Sequence, residues 1–543
     1  MTRPANMTDY EKTRAEFTWE VPEYFNFARD VFDTWADDTE KLAMWWIDDD
    51  GGERKITYDA LRERSSKAAD VLRNNGVGKG DVVMLIMPRL VAWWEANLAC
   101  IRCGAVAAPG TPMLTDKDIA YRLEFSDATC VICDSDAAEK VDRVKDNAGK
   151  LKTFITVGEP REGWISYEQA LADASPDAAV EKTRSDDPCL LYFTSGTTGM
   201  PKMTLHTHAS YPIGHIVTGR FWQDLGPDDL MWTLTDTGWA KAAWGSFFNA
   251  WNQGATVFVH HAKGFSVERA LGILQDYPIT VFCGPPTAFR MFIQQDLSRY
   301  KPAALRHCVS AGEPLNPEVI DTWKRAFGLE IREGYGQTET VCLVGTFPPL
   351  KVKPGSMGRP SPGFDVAIID DDGNVCPPHH EGDIAVRVKP VRPAGLFKEY
   401  WKDPRLTAAV HRGDWYITED RGTRDEDGYI WFVGRSDDVI IPSGYRVGPF
   451  EVESALIEHP AVAESAVVAS PDEIRGHVVK AFIVLAPGYE GSDALVKDIQ
   501  AHVKKITAPY KYPRKIEFVD SLPKTISGKI RRIELREREW GSQ

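Results

Sequence analysis

PCLLYFTSGTTGMPKMTLHTH, residues 188–208, opens with five apolar side chains in a row and then breaks into glycines and hydroxyls closed by Pro201 and Lys202. A strand with one face in water alternates apolar and polar residues. This one does not, so both of its faces are expected to be covered, as in the parallel sheet of an α/β protein. The same texture recurs in DVVMLIM (81–87), ATCVICD (128–134), TFITV (153–157), ATVFVH (255–260) and ITVFCG (279–284). Helical patterns lie between them, among them TYDALRERSSKAADVLRNNG (57–76), closed by Gly76, and SVERALGILQDY (266–277). From about residue 364 the pattern shortens to FDVAIIDDDGNV and GDIAVRV, strands around a DDG turn that predict an antiparallel, β-rich subdomain. Near residue 437 a further unit begins, reading helix, strand, strand, helix, strand. The predicted fold class is therefore α/β, with a large N-terminal body of α/β subdomains plus the β-rich subdomain (1–436) and a small α+β C-terminal domain (437–543).

Composition narrows the function classes. The 543 residues carry a net charge of −15, which argues against nucleic acid or an anionic membrane as partner. With 43% hydrophobic and 26% charged residues the chain is expected to be globular. No apolar run reaches the ~18–20 residues of a membrane-spanning helix, and the first residues lack an apolar signal-peptide core, so a cytoplasmic protein is expected. Nine cysteines include Cys100-x2-Cys103 and Cys130-x2-Cys133, a pattern that imitates a zinc ribbon. The first pair sits in a helix-like segment ending at Gly104. The second sits on a strand, where odd spacing sends the two thiols to opposite faces. Buried structural thiols are expected.

The segment Thr194, Ser195, Gly196, Thr197, Thr198, Gly199, Met200, Pro201, Lys202 suits a polyphosphate. Glycines let backbone N–H groups approach, hydroxyls add donors, and the lysine adds positive charge. It is not a P-loop of the G-x4-G-K-[ST] kind, because Pro201 stands where glycine is required and Met203 where Ser or Thr is.

TSGTTGMPK resembles the phosphate signature of the AMP-forming adenylating enzymes, which include acyl- and aryl-CoA synthetases, peptide-synthetase adenylation domains and luciferases. Further signatures follow in order: DTGW (236–239), SAGEPL (310–315), EGYGQTET (333–340), YITED (416–420), GRSDDVIIPSGYRVGPFEVE (434–453) and PKTISGKI (523–530). The resemblance covers about residues 30–535 and is closest to medium-chain acyl-CoA synthetases. It implies two half-reactions: carboxylate plus Mg2+-ATP gives acyl-adenylate and pyrophosphate, then coenzyme A displaces AMP. It also implies a mobile C-terminal domain hinged at Asp437. No enzyme nucleophile is required, and the chain's lack of a G-x-S-x-G elbow agrees with that.

Carried over to this chain, the resemblance implies that Glu339 associates with magnesium and Thr338 donates to the α-phosphate. Glu333, Gly334, Tyr335 and Gly336 line one side of the adenine, with Ala311, Gly312 and Glu313 on the other. Asp420 takes the ribose hydroxyls with Arg435 beside it, Arg446 contacts phosphate, and Lys529 reaches the reacting phosphate and carboxylate. Residue 419 is usually glycine in this family; here it is Glu419, which questions the local turn. For coenzyme A the implied residues are Ser443, Gly444, Tyr445, Arg475, Tyr512 and Arg514. The last 43 residues hold 11 basic and 5 acidic side chains, a tail suited to the phosphates of ATP and CoA.

Acyl specificity rests on Gly336, which stands where acetate-specific relatives carry tryptophan, so a deeper pocket is expected. Trp239, Trp244, Phe247 and Phe248 are candidate walls, Val341, Cys342 and Leu343 candidate apolar lining, and Lys241 is expected near the acyl tail or the CoA entrance, or snorkelling to solvent. The expected substrate is a medium-chain or branched short-chain fatty acid. The alternatives are an aryl (benzoate-type) acid, acetate or propionate, or a non-catalytic acyl or nucleotide sensor on the same fold. The partners expected are the acid, ATP and CoA; a homodimer is left open.

Overall fold

The computed structural model describes residues 3–194, 201–435, 438–440, 447–472, 476–507, 511–524 and 530–541. Strand Pro188–Thr194 lies inside an eight-stranded sheet whose core is parallel: Pro188–Thr194, Val106–Gly110, Val82–Ile86, Ala128–Asp134 and Thr153–Val157, in that spatial order. The expected absence of alternation has its cause here. Val83, Leu85, Cys130, Ile132, Leu190 and Tyr192 pack into one core, and Val82, Met84, Val131, Cys133, Leu191 and Phe193 into another on the opposite face. Cys130 and Cys133 thus point to opposite faces, as their spacing requires, and all nine thiols are buried.

Helix Tyr58–Asn74 is started by Thr57, whose hydroxyl accepts from the Ala60 amide. It packs beside Val91–Cys103, which ends at Gly104 with φ +70°.

A second sheet carries the parallel strands Leu42–Asp48, Thr256–His261, Leu230–Thr233, Val281–Gly284, His307–Ala311 and Ile331–Tyr335. Beyond Ile331–Tyr335 it turns antiparallel and continues through Ser356–Pro360, Ile430–Arg435, Trp415–Arg424, Gly382–Arg387 and Val366–Ile369. The DDG turn is held by the Asp370 carboxylate, which accepts from the amides of Asp372 and Asn374.

In the C-terminal region, Val462–Asp472 and Gly476–Leu485 pair antiparallel, and Lys515–Phe518 adds parallel to the latter. Helices Pro449–Ile457, Asp493–Ile506 and Arg532–Trp540 accompany this sheet. Among the described residues, no helix is long and apolar enough to cross a membrane.

Candidate active site

The segments SAGEPL and EGYGQTET leave the same edge of two adjacent parallel strands, with Ala311 opposite Gly334 and Ser310 opposite Glu333. The crevice beyond the carboxyl ends of parallel strands is where α/β sheets place their ligands. The phosphate-type segment arrives from the other sheet: Thr194 pairs with Lys202, and the loop between them joins two antiparallel strands. Ser195, Gly196, Thr197, Thr198 and Gly199 lie outside the described residues.

Four sequence-distant segments meet at this crevice. The Tyr335 hydroxyl and the Gln337 amide both donate to Asp420 Oδ2 at 2.7 Å, and Arg435 Nε stands 3.9 Å from Asp420 Oδ1. The Tyr400 hydroxyl donates to Glu339 Oε1 at 2.9 Å, and Lys202 Nζ lies 5.2 Å from the centre of the Tyr400 ring. Lys241 Nζ donates to the Ala311 carbonyl at 3.0 Å, so this lysine is tied to the SAGEPL segment. Arg290 pairs with Glu313 at 3.1 Å. Gly312 has φ +108°, a conformation that favours glycine, and a Cβ there would meet nothing within 4 Å.

Burial sets the charge states. It pushes the Glu333 carboxyl up to about 8; among the described residues the Leu315 amide alone donates to it, at 2.9 Å. Glu339 is also raised by burial, opposed by the Tyr400 hydroxyl and by Lys202. His206 is pushed down to about 3 by burial and is therefore neutral. Its Nε2 donates to the Thr338 carbonyl at 2.7 Å, and the Tyr211 hydroxyl donates to the same oxygen at 2.6 Å. These two residues and Gln337 were missed in the sequence. His206 stands in LHTH, four residues beyond the phosphate-type motif, which was the only signal available.

Two sequence expectations change. Gly336 does not leave open depth: a Cβ there would lie 2.3 Å from Trp244 Cη2 and 2.3 Å from the Val341 carbonyl oxygen. The room freed by the glycine is filled by an indole from helix Ala240–Gly245. Trp239 is half-buried at the start of that helix. Phe247 and Phe248 pack instead against Phe27 and Trp251, in the core. Glu419 also accommodates the turn, with φ +61° in a bulge of strand Trp415–Arg424.

The sequence profile of the AMP-binding enzyme family matches residues 31–401, and that of the AMP-binding enzyme C-terminal domain matches 451–529. The chain belongs to the AMP-binding enzyme family. The mouse protein named acyl-coenzyme A synthetase ACSM3, mitochondrial, is 54% identical over 548 aligned positions, spanning 99% of this chain and 94% of that protein. Among solved structures, the anthranilate CoA ligase AuaEII in complex with anthranoyl-AMP has a TM-score of 0.88 at 30% identity, covering 96% of this chain and 98% of its own. The Brucella canis acyl-CoA synthetase has a TM-score of 0.77 at 33% identity, covering 98% and 99%.

These relatives correct the expected location. The ACSM3 proteins of mouse, rat and human are named as mitochondrial, which contradicts a cytoplasmic reading of this AMP-binding enzyme. The test for an apolar signal core could not have detected a mitochondrial leader, which is amphipathic and arginine-rich rather than apolar.

In the C-terminal part of this AMP-binding enzyme, Lys529, Asp437, Arg446, Ser443, Gly444, Tyr445 and Arg475 lie outside the described residues. Tyr512 is half-buried, with Lys504 Nζ 3.9 Å and Arg514 Cζ 5.1 Å from its ring centre. The basic tail is less basic than it reads. Lys511, Lys524, Arg532, Arg536 and Arg538 pair with Glu451, Glu464, Glu453, Asp438 and Glu517. Asn316, just past SAGEPL, donates to the Ser454 hydroxyl of helix Pro449–Ile457 at 3.2 Å, joining this region to the crevice.

Proposed function

We infer that the chain is an AMP-forming acyl-CoA synthetase, joining a carboxylic acid to coenzyme A at the expense of ATP through an acyl-adenylate. The observation that carries the reading is the convergence of Lys202, Glu339, Asp420 and the SAGEPL segment on one crevice at the strand ends. ATP would lie there, its adenine between Gly312 and Tyr335. Ionised Asp420 is acceptor-only and suits two ribose hydroxyls. The Tyr335 and Gln337 donors on Oδ2 hold that carboxylate in place. Thr338, its carbonyl clamped by His206 and Tyr211, would present its hydroxyl to the α-phosphate.

The oxygen donors present fit a magnesium ion that travels with the nucleotide. Among the described residues no three acidic, His or Cys side chains gather into a metal site, and Mg2+ is commonly held by one or two carboxylates plus substrate phosphates. Glu339 would hold it, and the ion would supply charge neutralisation at the phosphates. Lys529 would reach the reacting phosphate and carboxylate, where a cation at developing charge lowers the barrier. The C-terminal domain, 437–543, would then rotate about Asp437. The Lys504, Tyr512 and Arg514 cluster is a suitable contact for the phosphate-bearing end of coenzyme A, with Ser443, Gly444, Tyr445 and Arg475 along the pantetheine. Arg435 and Arg446 complete the nucleotide contacts.

The acid is proposed to be a medium-chain or branched short-chain fatty acid, held beside Trp239 and bounded by the Trp244 indole, which lies against Gly336. An aryl acid is the second reading, supported by the likeness to the anthranilate CoA ligase. The test is pyrophosphate release from ATP and Mg2+ with C2 to C12 and aryl acids. Release that depends on hexanoate or octanoate is expected; acetate or benzoate clearly preferred would overturn the substrate reading. No acid-dependent release would overturn the function.

A further inference from the structure

Glu419 combines a disfavoured backbone with a specific ionic contact. Its φ of +61° belongs to the left-handed region, which penalises any residue that carries a Cβ. The conformation arises in a bulge: Asp383 pairs with Arg421 and Ala385 with Ile417, so four steps on one strand oppose two on the other. Bulges of this kind re-aim side chains beside active sites.

Here the bulge sends the carboxylate to Lys202, with Oε2 2.9 Å from Nζ. Arg435 Nη2 stands 3.9 Å from the same oxygen. Lys202 itself is only 13% exposed, and it lies over the ring of Tyr400, whose hydroxyl holds Glu339. A carboxylate offers these cations what a phosphate would offer: negative charge and acceptor oxygens at hydrogen-bond distance.

We propose that Glu419 is an internal anion that holds Lys202 in the nucleotide-free enzyme and that the polyphosphate of ATP, and afterwards pyrophosphate, exchange with it for that lysine. The proposal rests on the reading of Lys202 as a polyphosphate ligand. It makes Glu419 a positioning residue. Apparent affinity for polyphosphate is lowered by the fraction of enzyme in which the lysine is already engaged. Return of the carboxylate to Lys202 promotes pyrophosphate departure.

Two variants separate charge from backbone. Glu419→Gln removes the charge and keeps the left-handed demand; Glu419→Gly removes both and keeps the test open if the glutamine variant folds poorly. The readouts are the dissociation constant of Mg2+-pyrophosphate by titration calorimetry without acid, and KM for ATP and kcat in the pyrophosphate-release assay. Both variants are expected to bind pyrophosphate about tenfold more tightly, with KM for ATP lowered in parallel and kcat not raised. Unchanged or weaker binding in Glu419→Gln would overturn the exchange. So would a higher magnesium requirement, which would make Glu419 a metal ligand. A wild-type chain that neither binds pyrophosphate nor releases it removes the reading of the site and this proposal with it, a result distinct from wild-type binding with unaltered variants.

Discussion

Replacing Trp244 by alanine tests how the acyl pocket is bounded. Trp244 is 7% exposed, and its ring edge occupies the position that a Cβ on Gly336 would need. A buried indole covers roughly 150–250 Å². At about 25 cal/mol per Å² and 0.8 kcal/mol per methylene, one methylene corresponds to about 32 Å², so the vacated surface matches about five to eight methylenes. His215, whose ring centre is 5.6 Å away, and the rest of the wall share that surface, so an acyl tail gains about three, or ~2.4 kcal/mol. At 1.4 kcal/mol per tenfold, the kcat/KM ratio of nonanoate over hexanoate rises by about 50-fold in Trp244→Ala. Competitive acyl-CoA formation with the two acids reads this ratio directly. Truncating a buried tryptophan costs about 3–5 kcal/mol of stability, so circular dichroism establishes that the variant is folded, and Trp244→Phe supplies a milder step in the same direction. A folded Trp244→Ala enzyme whose ratio stays within about threefold of wild type would refute the reasoning and return Trp244 to the core.

Glu333→Gln tests a buried acid. The folded carboxyl titrates near 8 against 4.5 ordinarily, so over that window the folded state holds a proton that the unfolded chain lacks. Stability then falls as pH rises from 4.5 to 8, by at most about 4–5 kcal/mol. Glutamine keeps the acceptor for the Leu315 amide without this slope, so its urea midpoint gains on wild type between pH 5.5 and 8.5; parallel curves would exclude the effect. At Thr338, Tyr211→Phe alone leaves His206 donating and costs about 1 kcal/mol in kcat/KM, while Tyr211→Phe with His206→Leu strands a part-buried carbonyl and loses about 1 kcal/mol beyond the sum of the singles. A double-mutant cycle with no coupling would argue against a shared clamp. Lys529→Ala lowers acid-dependent pyrophosphate release by about 10²–10³ yet leaves thioester formation from supplied acyl-AMP largely intact; equal loss of both half-reactions contradicts two conformations.

The strands were legible because burial on both faces leaves a local mark. Cys130 and Cys133 show this at single-residue level: one lies in each core, as an odd spacing on a strand requires. That SAGEPL and EGYGQTET flank one nucleotide came from the family resemblance; the sheet edge they share is seen only in the strand pairing. What was not legible is contact between distant segments. His206 reaches Thr338 across 132 positions and Lys202 reaches Glu419 across 217, and no periodicity carries such pairings. The depth expected at Gly336 failed for the same reason, since the side chain that fills it comes from another element. Charge counting over the last 43 residues failed because five of its cations are neutralised by carboxylates, four of them upstream of that window.

An acidic chain that handles an anionic nucleotide needs cations where they are wanted without leaving them unpaired in a protein-lined crevice. A half-buried ammonium without a partner is strongly disfavoured, whereas a paired one is tolerated. Lys202 and Arg435 satisfy this by standing against Glu419 and Asp420. Asp420 is anchored by two donors from the neighbouring segment and stays. Glu419 is 42% exposed and pairs with Lys202 through a single oxygen, so it is the partner able to yield. Net charge therefore says little about nucleotide affinity in this chain; which carboxylate can be displaced says more.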